Sequence, residues 1–282
     1  SARSDTALVM HISADRKRVD AVSIPRDTLV DIPECKSLDG ETTGAEEDGQ
    51  FNSAFANGAG TGNDKKAVAS GATCTLKTVE KMTGIRIDDF VVVDFNGLSK
   101  VVDSLGGVNV HVDEAIDDSD YTGLTLDEGC QKLDGQTALQ YARVRHGVGD
   151  GSDISRISRQ QKLMNAMASK ALSSNVLTKS GFLTSTLETL TTSEHIGQIG
   201  NLSGLAYSIQ GVGMDKINFI TMPNEAADDE NRVVPSENAK KVWTALKEDK
   251  PVPAEAAAPA TTDADAAADD QAASEEGAAE PT

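Results

Sequence analysis

The sequence predicts an α/β protein of αβα type, with a mixed central β-sheet and helices on both faces. Three observations predict it. Stretches that read as strands recur at Ala7 to Ile12, Val19 to Ile24 and Ile217 to Met222. Amphipathic stretches of helical period, Lys65 to Met82 and Gln160 to Leu172, fall between them. The segment from Phe90 to Val112 alternates strand, short helix and strand. With 282 residues and 38% hydrophobic content, the chain has enough apolar surface for a real core.

Taken in order, A-L-V-M-H-I is a continuous apolar run, as expected of a buried strand. The turn from Ser13 to Arg18 leads to a second strand, Val19 to Ile24, ended by Pro25, so the two form a hairpin. Arg26 and Asp27 follow at the carboxyl end of that strand, where open α/β sheets place ligand contacts. Lys36 to Asn63 is rich in Gly, Thr, Ser and acid and reads as a long surface loop interrupted by F-N-S-A-F at Phe51 to Phe55. Lys65 to Met82 reads as a helix despite Gly71, stopping at Gly84. Phe90 to Phe95, β-branched and aromatic, reads as a central strand, and Asn96 as the cap of a helix from Gly97 to Leu105.

Further along, Asp134 opens a helix carrying Ala138, Leu139 and Ala142. Gln160 to Leu172 is amphipathic through Leu163, Met167 and Leu172, and Phe182 to Leu190 is a second apolar helix. These two helices are either core or the lining of an apolar slot for a lipid. A last strand, Ile217 to Met222, and a helix from Ser236 to Leu246 with the sole Trp243 close the domain, which is expected to span residues 1–248. From 249 to the end the chain is expected to be a disordered acidic tail. From Pro251 onward it holds eight acidic residues and no Lys or Arg, too polar a composition to offset its ordering entropy.

The formal charge is -19, and removing those eight leaves -11 on the rest. A nucleic-acid partner is therefore not expected, since no basic stripe or aromatic platform accompanies that balance. No run of apolar residues is long enough to span a membrane. A start at Ser1, without methionine, is what a fragment of a longer precursor would show. Cys35, Cys74 and Cys130 lack zinc-ligand spacing. Cys35 and Cys74 flank one loop-rich region and would close it as a disulfide in an oxidising compartment; three buried thiols are the alternative.

Against that acidity, Arg143, Arg145, Arg156 and Arg159 fall within seventeen positions around a glycine-rich turn. An extended backbone would put Arg143 and Arg145 on one face, and a helix capped by Asp153 or Ser155 would bring Arg156, Arg159 and Gln160 together. Guanidinium forks match phosphate oxygens, so a diphosphate is the natural guest; pairing with the 45 acidic residues in solvated networks is the alternative. His11, His111, His146 and His195 have no nucleophile motif beside them, and no phosphate-binding glycine loop is present.

R-S-D-T, V-S-I-P-R-D-T, F-N-S-A-F, T-V-E-K-M-T-G, V-D-F-N-G-L, L-G-G-V, L-D-G-Q-T-A-L-Q-Y-A-R-V-R and D-I-S-R-I-S-R-Q-Q occur in that order. Together they resemble the LytR-CpsA-Psr family, from about Arg3 to Pro223. The resemblance implies a membrane-anchored phosphotransferase on the outer face of the cell membrane. It would move a glycopolymer from a polyprenyl-pyrophosphate carrier onto peptidoglycan, or occasionally onto protein. The alternatives are a non-catalytic polyprenyl-pyrophosphate binding module and a pyrophosphatase acting on the lipid-linked precursor. By the resemblance Arg3, Arg26 and Arg145 are catalytic, and they clamp the diphosphate with Arg143, Arg156, Arg159 and Gln160. Leu163, Met167 and Phe182 would hold the lipid, and Asp5 would bind Mg²⁺ together with a second carboxylate on a strand upstream of Ser1. Cysteine placement resembles actinobacterial members, which supports pairing Cys35 with Cys74, leaves Cys130 over, and points to an arabinogalactan-type polymer, with teichoic acid the polymer elsewhere in the family.

Overall fold

The structure is a computed structural model that describes residues 6–37, 40–144, 153–173, 176, 180–229 and 232–257, with side chains at 153–157 and 180 left aside. β1 (Ala7–Ile12) and β2 (Val19–Ile24) form the expected antiparallel hairpin. Every residue of β2 is buried, because β13 (Ile217–Thr221) pairs parallel to its other edge. The main sheet is thus mixed, in the order β1-β2-β13, and β2 is its central strand.

Between Ile24 and the first long helix lie β3 (Leu29–Ile32), β4 (Cys35–Lys36), β5 (Thr42–Thr43), β6 (Glu46–Gln50) and α1 (Ser53–Ala59). The expected long loop is therefore largely ordered: β6 pairs with β3 and β5 with β4. α2 (Lys65–Thr83) runs from an Asp64 cap to Gly84, whose φ of 66° is the left-handed geometry that ends helices on glycine. Gly71 is explained by packing. A Cβ there would lie 2.7 Å from the carbonyl oxygen of Phe55, so α1 and α2 approach backbone to backbone.

β7 (Val91–Val92) and α3 (Phe95–Ser104) correct the expectation for this region. The Phe90 to Phe95 run is not a central strand: two residues pair with β12 (Thr191–Thr192), apart from the main sheet. The cap is Asp94, whose Oδ1 accepts from Gly97 N at 2.6 Å, and not Asn96. Sequence pattern alone did not separate a fully buried strand from a half-buried one whose outward residues are also apolar.

β8 (Val108–Val112) pairs with β11 (Gly129–Leu133), and β9 (Ile116–Asp118) with β10 (Leu124–Leu126). Then come α4 (Gly135–Arg143), α5 (Asp153–Ser173), α6 (Ser180–Thr189), β12 and α7 (Ile199–Ile209). After β13, β14 (Asn224–Ala226) and β15 (Val233–Pro235) pair, and α8 (Glu237–Lys247) and α9 (Ala254–Ala257) follow.

Helices cover both faces of the main sheet. Val22, Ile24, Ile220 and Met222 pack with Cys74 and Val79 of α2 and with Val242, Trp243 and Leu246 of α8. On the opposite face Val19, Ala21 and Ser23 are buried, and α5 reaches it where Gln161 Nε2 donates to Thr221 Oγ1 at 2.9 Å. A second core joins α3, β8, Leu133 of the strand paired with β8, α4 and α5 through Val102, Val108, Val110, Tyr141 and Leu163. The ordered body runs past 248, where the tail was expected to begin. Ala256 is fully enclosed in the first core, Val252 packs on it, and Asp249 Oδ2 accepts from Ala14 N at 3.0 Å. Val252, Ala256 and Ala257 supply the apolar contacts that hold this stretch to the first core despite its polar composition.

Cys35 and Cys74 are joined, with Cα atoms 5.6 Å apart, tying β4 to α2 inside the first core. Cys130 is a free, exposed thiol.

Candidate functional site

The register defines one end of the sheet. Ala7 faces Ile24 across the hairpin, and Ser23 faces Thr221 on the parallel side. The start of β1 and the carboxyl ends of β2 and β13 therefore emerge together, and Thr6, Arg26 and Met222 all leave the sheet there. α5 crosses this end on consecutive glutamines. Thr6 Oγ1 donates to Gln160 Oε1 at 2.6 Å, while Gln161 holds Thr221. One glutamine thus grips each outer strand, and Arg26 lies between them at the end of the central one. The carboxyl edge of an α/β sheet is where ligands bind, because strand ends and helix ends present side chains and backbone dipoles to a common crevice.

Arg26 is held from behind. Its Nε donates to Asp27 Oδ2 at 3.0 Å, and Asp27 Oδ1 accepts from Gln50 Nε2 at 3.0 Å. The backbone N–H of Asn52 donates to the carbonyl of Arg26 at 3.1 Å, and that of Phe51 to Thr28 at 2.8 Å. F-N-S-A-F is thus the buttress of the Arg26 turn: Phe51 is buried in the first core, Phe55 seats α1, and Asn52 pins the turn. Both oxygens of Asp27 are engaged, which makes it an orienting group for Arg26.

The arginine stretch divides. Arg143 is in the last turn of α4, not in an extended segment, and its exposed guanidinium lies over the Phe95 ring, 4.9 Å from the centroid. The backbone becomes extended only at Val144, with ψ 130°. Arg159 is 7% exposed, and its Nη2 donates to the carbonyl of Val144 at 2.9 Å. Burial lowers the Arg159 pKa and raises that of Tyr141 nearby. Even lowered, a guanidinium keeps its proton at neutral pH, so Arg159 is a permanent buried cation that fixes where the chain leaves α4. Arg156 belongs to α5 four positions before Gln160, with its side chain outside the described residues. Arg3, Asp5, Arg145 and His146 also lie outside the described residues.

Leu163 is 2% exposed in the second core, and Met167 and Phe182 are partly buried against it. This apolar mass stands directly behind Gln160 on α5. Among the described residues no group of three or more His, Cys, Asp or Glu side chains is placed to hold a metal ion. His195 meets a serine and an aspartate, but in parallel rather than in series. Ser193 Oγ donates to Asp89 Oδ1 at 2.6 Å, and His195 Nδ1 lies 2.8 Å from Asp89 Oδ2. The hydroxyl turns to the carboxylate and not to the imidazole, so no nucleophile relay forms.

Sequence reasoning missed Thr6, Gln50, Gln161 and Thr221. Only the glutamine doublet was a visible signal, since one helix carrying two neighbouring amides can reach two strands.

The sequence model of the LytR_cpsA_psr family matches residues 1–248. The chain belongs to the LytR-CpsA-Psr family. Within that family it is 29% identical over 228 residues to the cell wall biosynthesis protein LcpA of Corynebacterium glutamicum, covering 80% of this chain and 44% of that protein. It is 33% identical over 181 residues to the polyisoprenyl-teichoic acid–peptidoglycan teichoic acid transferase TagV of Bacillus subtilis, covering 63% and 41%. The chain thus spans less than half the length of either relative. The crystal structure of B. subtilis TagV superposes with a TM-score of 0.66 at 25% identity, covering 88% of this chain and 90% of that one. The α/β fold of this LytR-CpsA-Psr member is the fold of those structures.

Proposed function

We propose that this chain is an extracytoplasmic phosphotransferase that moves a glycopolymer from a polyprenyl-pyrophosphate carrier onto peptidoglycan. The observation that carries the reading is the Thr6–Gln160 hydrogen bond beside the end of β2 from which Arg26 leaves the sheet, in a family whose named relatives include teichoic acid transferases. In sequence, Arg3 and Asp5 lie just before Thr6, and Arg156 lies four positions before Gln160 on α5, which supports counting them in the same site. Arg145 follows Val144, whose carbonyl Arg159 holds.

In this reading an acceptor sugar hydroxyl attacks the phosphorus that bears the polymer. A new phosphodiester forms, the P–O bond to the second phosphate breaks, and polyprenyl phosphate leaves with the electron pair while the hydroxyl proton passes to solvent. Arg3, Arg26 and Arg145 stabilise the charge that develops on the leaving phosphate, while Arg143, Arg156 and Gln160 orient the diphosphate. Arg159 positions rather than binds. Met167 and Phe182 are the candidates for contact with the prenyl chain, at the margin of the core that Leu163 fills. Mg²⁺, when bound, would neutralise diphosphate charge, with Asp5 as its candidate ligand. The polymer is of arabinogalactan or teichoic acid type, and a membrane anchor outside this chain would keep the site near its donor.

The test supplies a lipid-pyrophosphate-linked oligosaccharide and peptidoglycan to the purified chain. Sugar covalently attached to peptidoglycan, with stoichiometric polyprenyl phosphate, supports the proposal. Free sugar phosphate identifies a pyrophosphatase, and donor binding without cleavage identifies a carrier module; either result overturns it.

A further inference from the structure

One residue packed on the Arg26 turn has a side chain that the fold does not use. The backbone N–H of Asn52 donates to the Arg26 carbonyl at 3.1 Å, a role any residue except proline could fill. The carboxamide is a different matter. Asn52 is 4% exposed, and its Oδ1 is fully enclosed with no donor. Nδ2 makes no hydrogen bond among the described residues either, but it is not enclosed with the oxygen. Nor does the side chain cap α1, whereas Asp64, Asp94 and Asp134 each accept from the helix they precede.

An enclosed polar atom without a partner destabilises the folded state, so an apolar side chain of the same shape would serve folding better. A carboxamide kept in such a place has its use in a ligand. The neighbours of Asn52 indicate the ligand's chemistry. Gln50 Nε2 holds Asp27, Asp27 holds Arg26, and Ser53 Oγ turns back to the Gln50 carbonyl at 2.7 Å. The polar side chains flanking Asn52 are thus engaged within the protein. With Oδ1 turned inward, Nδ2 is the outward end, and it is a donor beside the turn that carries a guanidinium. Two kinds of donor on one turn suit an anion rich in acceptor oxygens.

We propose that Asn52 Nδ2 donates to a phosphate oxygen of the diphosphate held by Arg26, so that Asn52 is a binding residue of the site and not only part of its frame. The identity of the ligand rests on the transferase reading; the enclosed, unused carboxamide does not depend on it.

Asn52→Leu, close in shape and apolar, tests this by isothermal titration with inorganic pyrophosphate, by turnover of a lipid-pyrophosphate-linked oligosaccharide, and by the melting temperature of the ligand-free protein. N52L should bind pyrophosphate roughly tenfold to a hundredfold more weakly, the effect of one lost hydrogen bond to a charged group, and KM for the lipid donor should rise in step. Its Tm should stay level or rise, because the enclosed oxygen is gone. Asn52→Asp sets a carboxylate against the phosphate and should weaken pyrophosphate binding further, a result that stands even if N52L fails to fold. A lowered Tm in N52L with pyrophosphate affinity unchanged would make Asn52 structural and overturn the proposal. So would a wild type that does not bind pyrophosphate, or N52D binding it as tightly as wild type. Weakened pyrophosphate binding by N52L, beside a wild type that turns over no lipid donor, would uphold the Asn52 contact and sink the transferase reading. Turnover of the lipid donor with equal KM in wild type and N52L would do the reverse.

Discussion

The Cys35–Cys74 crosslink offers the most calculable test of the folded body. The two cysteines are 39 apart in sequence and both are buried in the first core, where the bond ties the β4–β5 hairpin to α2. Chain-entropy loss in the unfolded state scales with the logarithm of loop length, and for a loop of this size it is worth about 4 kcal/mol at 25 °C. A domain of roughly 250 residues unfolds with an entropy near 0.5 kcal/mol/K, so removing the bond should lower Tm by about 8 °C. The pair Cys35→Ala and Cys74→Ala is preferable to serine, because both sites are apolar and an unpaired hydroxyl would add its own penalty. Scanning calorimetry with and without reductant makes the comparison. Wild type should show one reactive thiol, Cys130, before reduction and three after it in denaturant. Reductant should lower the wild-type Tm and leave the double variant unmoved. Three reactive thiols in the native protein, or the same reductant effect on both proteins, would refute the reasoning.

Other expectations follow from individual contacts. Arg159→Met removes a buried charged donor from the Val144 carbonyl and should cost roughly 2–4 kcal/mol, seen as a Tm drop of about 4–8 °C; unchanged stability with lost donor binding would make Arg159 an open phosphate ligand instead. Asp89 has a depressed pKa: burial opposes ionisation, but hydrogen bonds from Ser193 and His195 outweigh it. Its contribution is therefore present above the ordinary carboxylate pKa and lost as pH falls through the folded value. Asp89→Asn should destabilise by about 1–3 kcal/mol at pH 7 and flatten the acid limb of a stability-against-pH curve. Asp134→Ala deletes the side-chain acceptor for Thr137 N at the start of α4 and should cost about 1 kcal/mol by denaturant titration.

Legibility in the sequence followed the physics of each element. β1, β2, α2 and α8 were readable because one-sided or continuous burial leaves a periodic trace and their ends carry Pro25, Gly84 and Ser236. β7 was misread because its outward residues Val91 and Val93 are as apolar as its inward ones. The ordered strands within 36–63 were hidden because they are short and polar, held by pairing and a disulfide rather than by an apolar face. At the site, Arg26 was legible from its place after a strand ended by Pro25. Its partners Gln50 and Thr6 were not, since their roles arise from contacts between segments far apart in sequence.

The central claim is that Arg26, on the end of β2, and Arg145, beyond the Val144 anchor, act on a lipid-linked diphosphate. The most direct measurement is the single-turnover release of polyprenyl phosphate from a saturating lipid-pyrophosphate donor, with peptidoglycan as acceptor, by wild type, Arg26→Ala and Arg145→Ala. Loss of one preorganised cation from a developing anionic charge should slow the step by about 10²–10³-fold in each variant. Rates equal to wild type in both variants, with the fold intact by circular dichroism, would contradict the account.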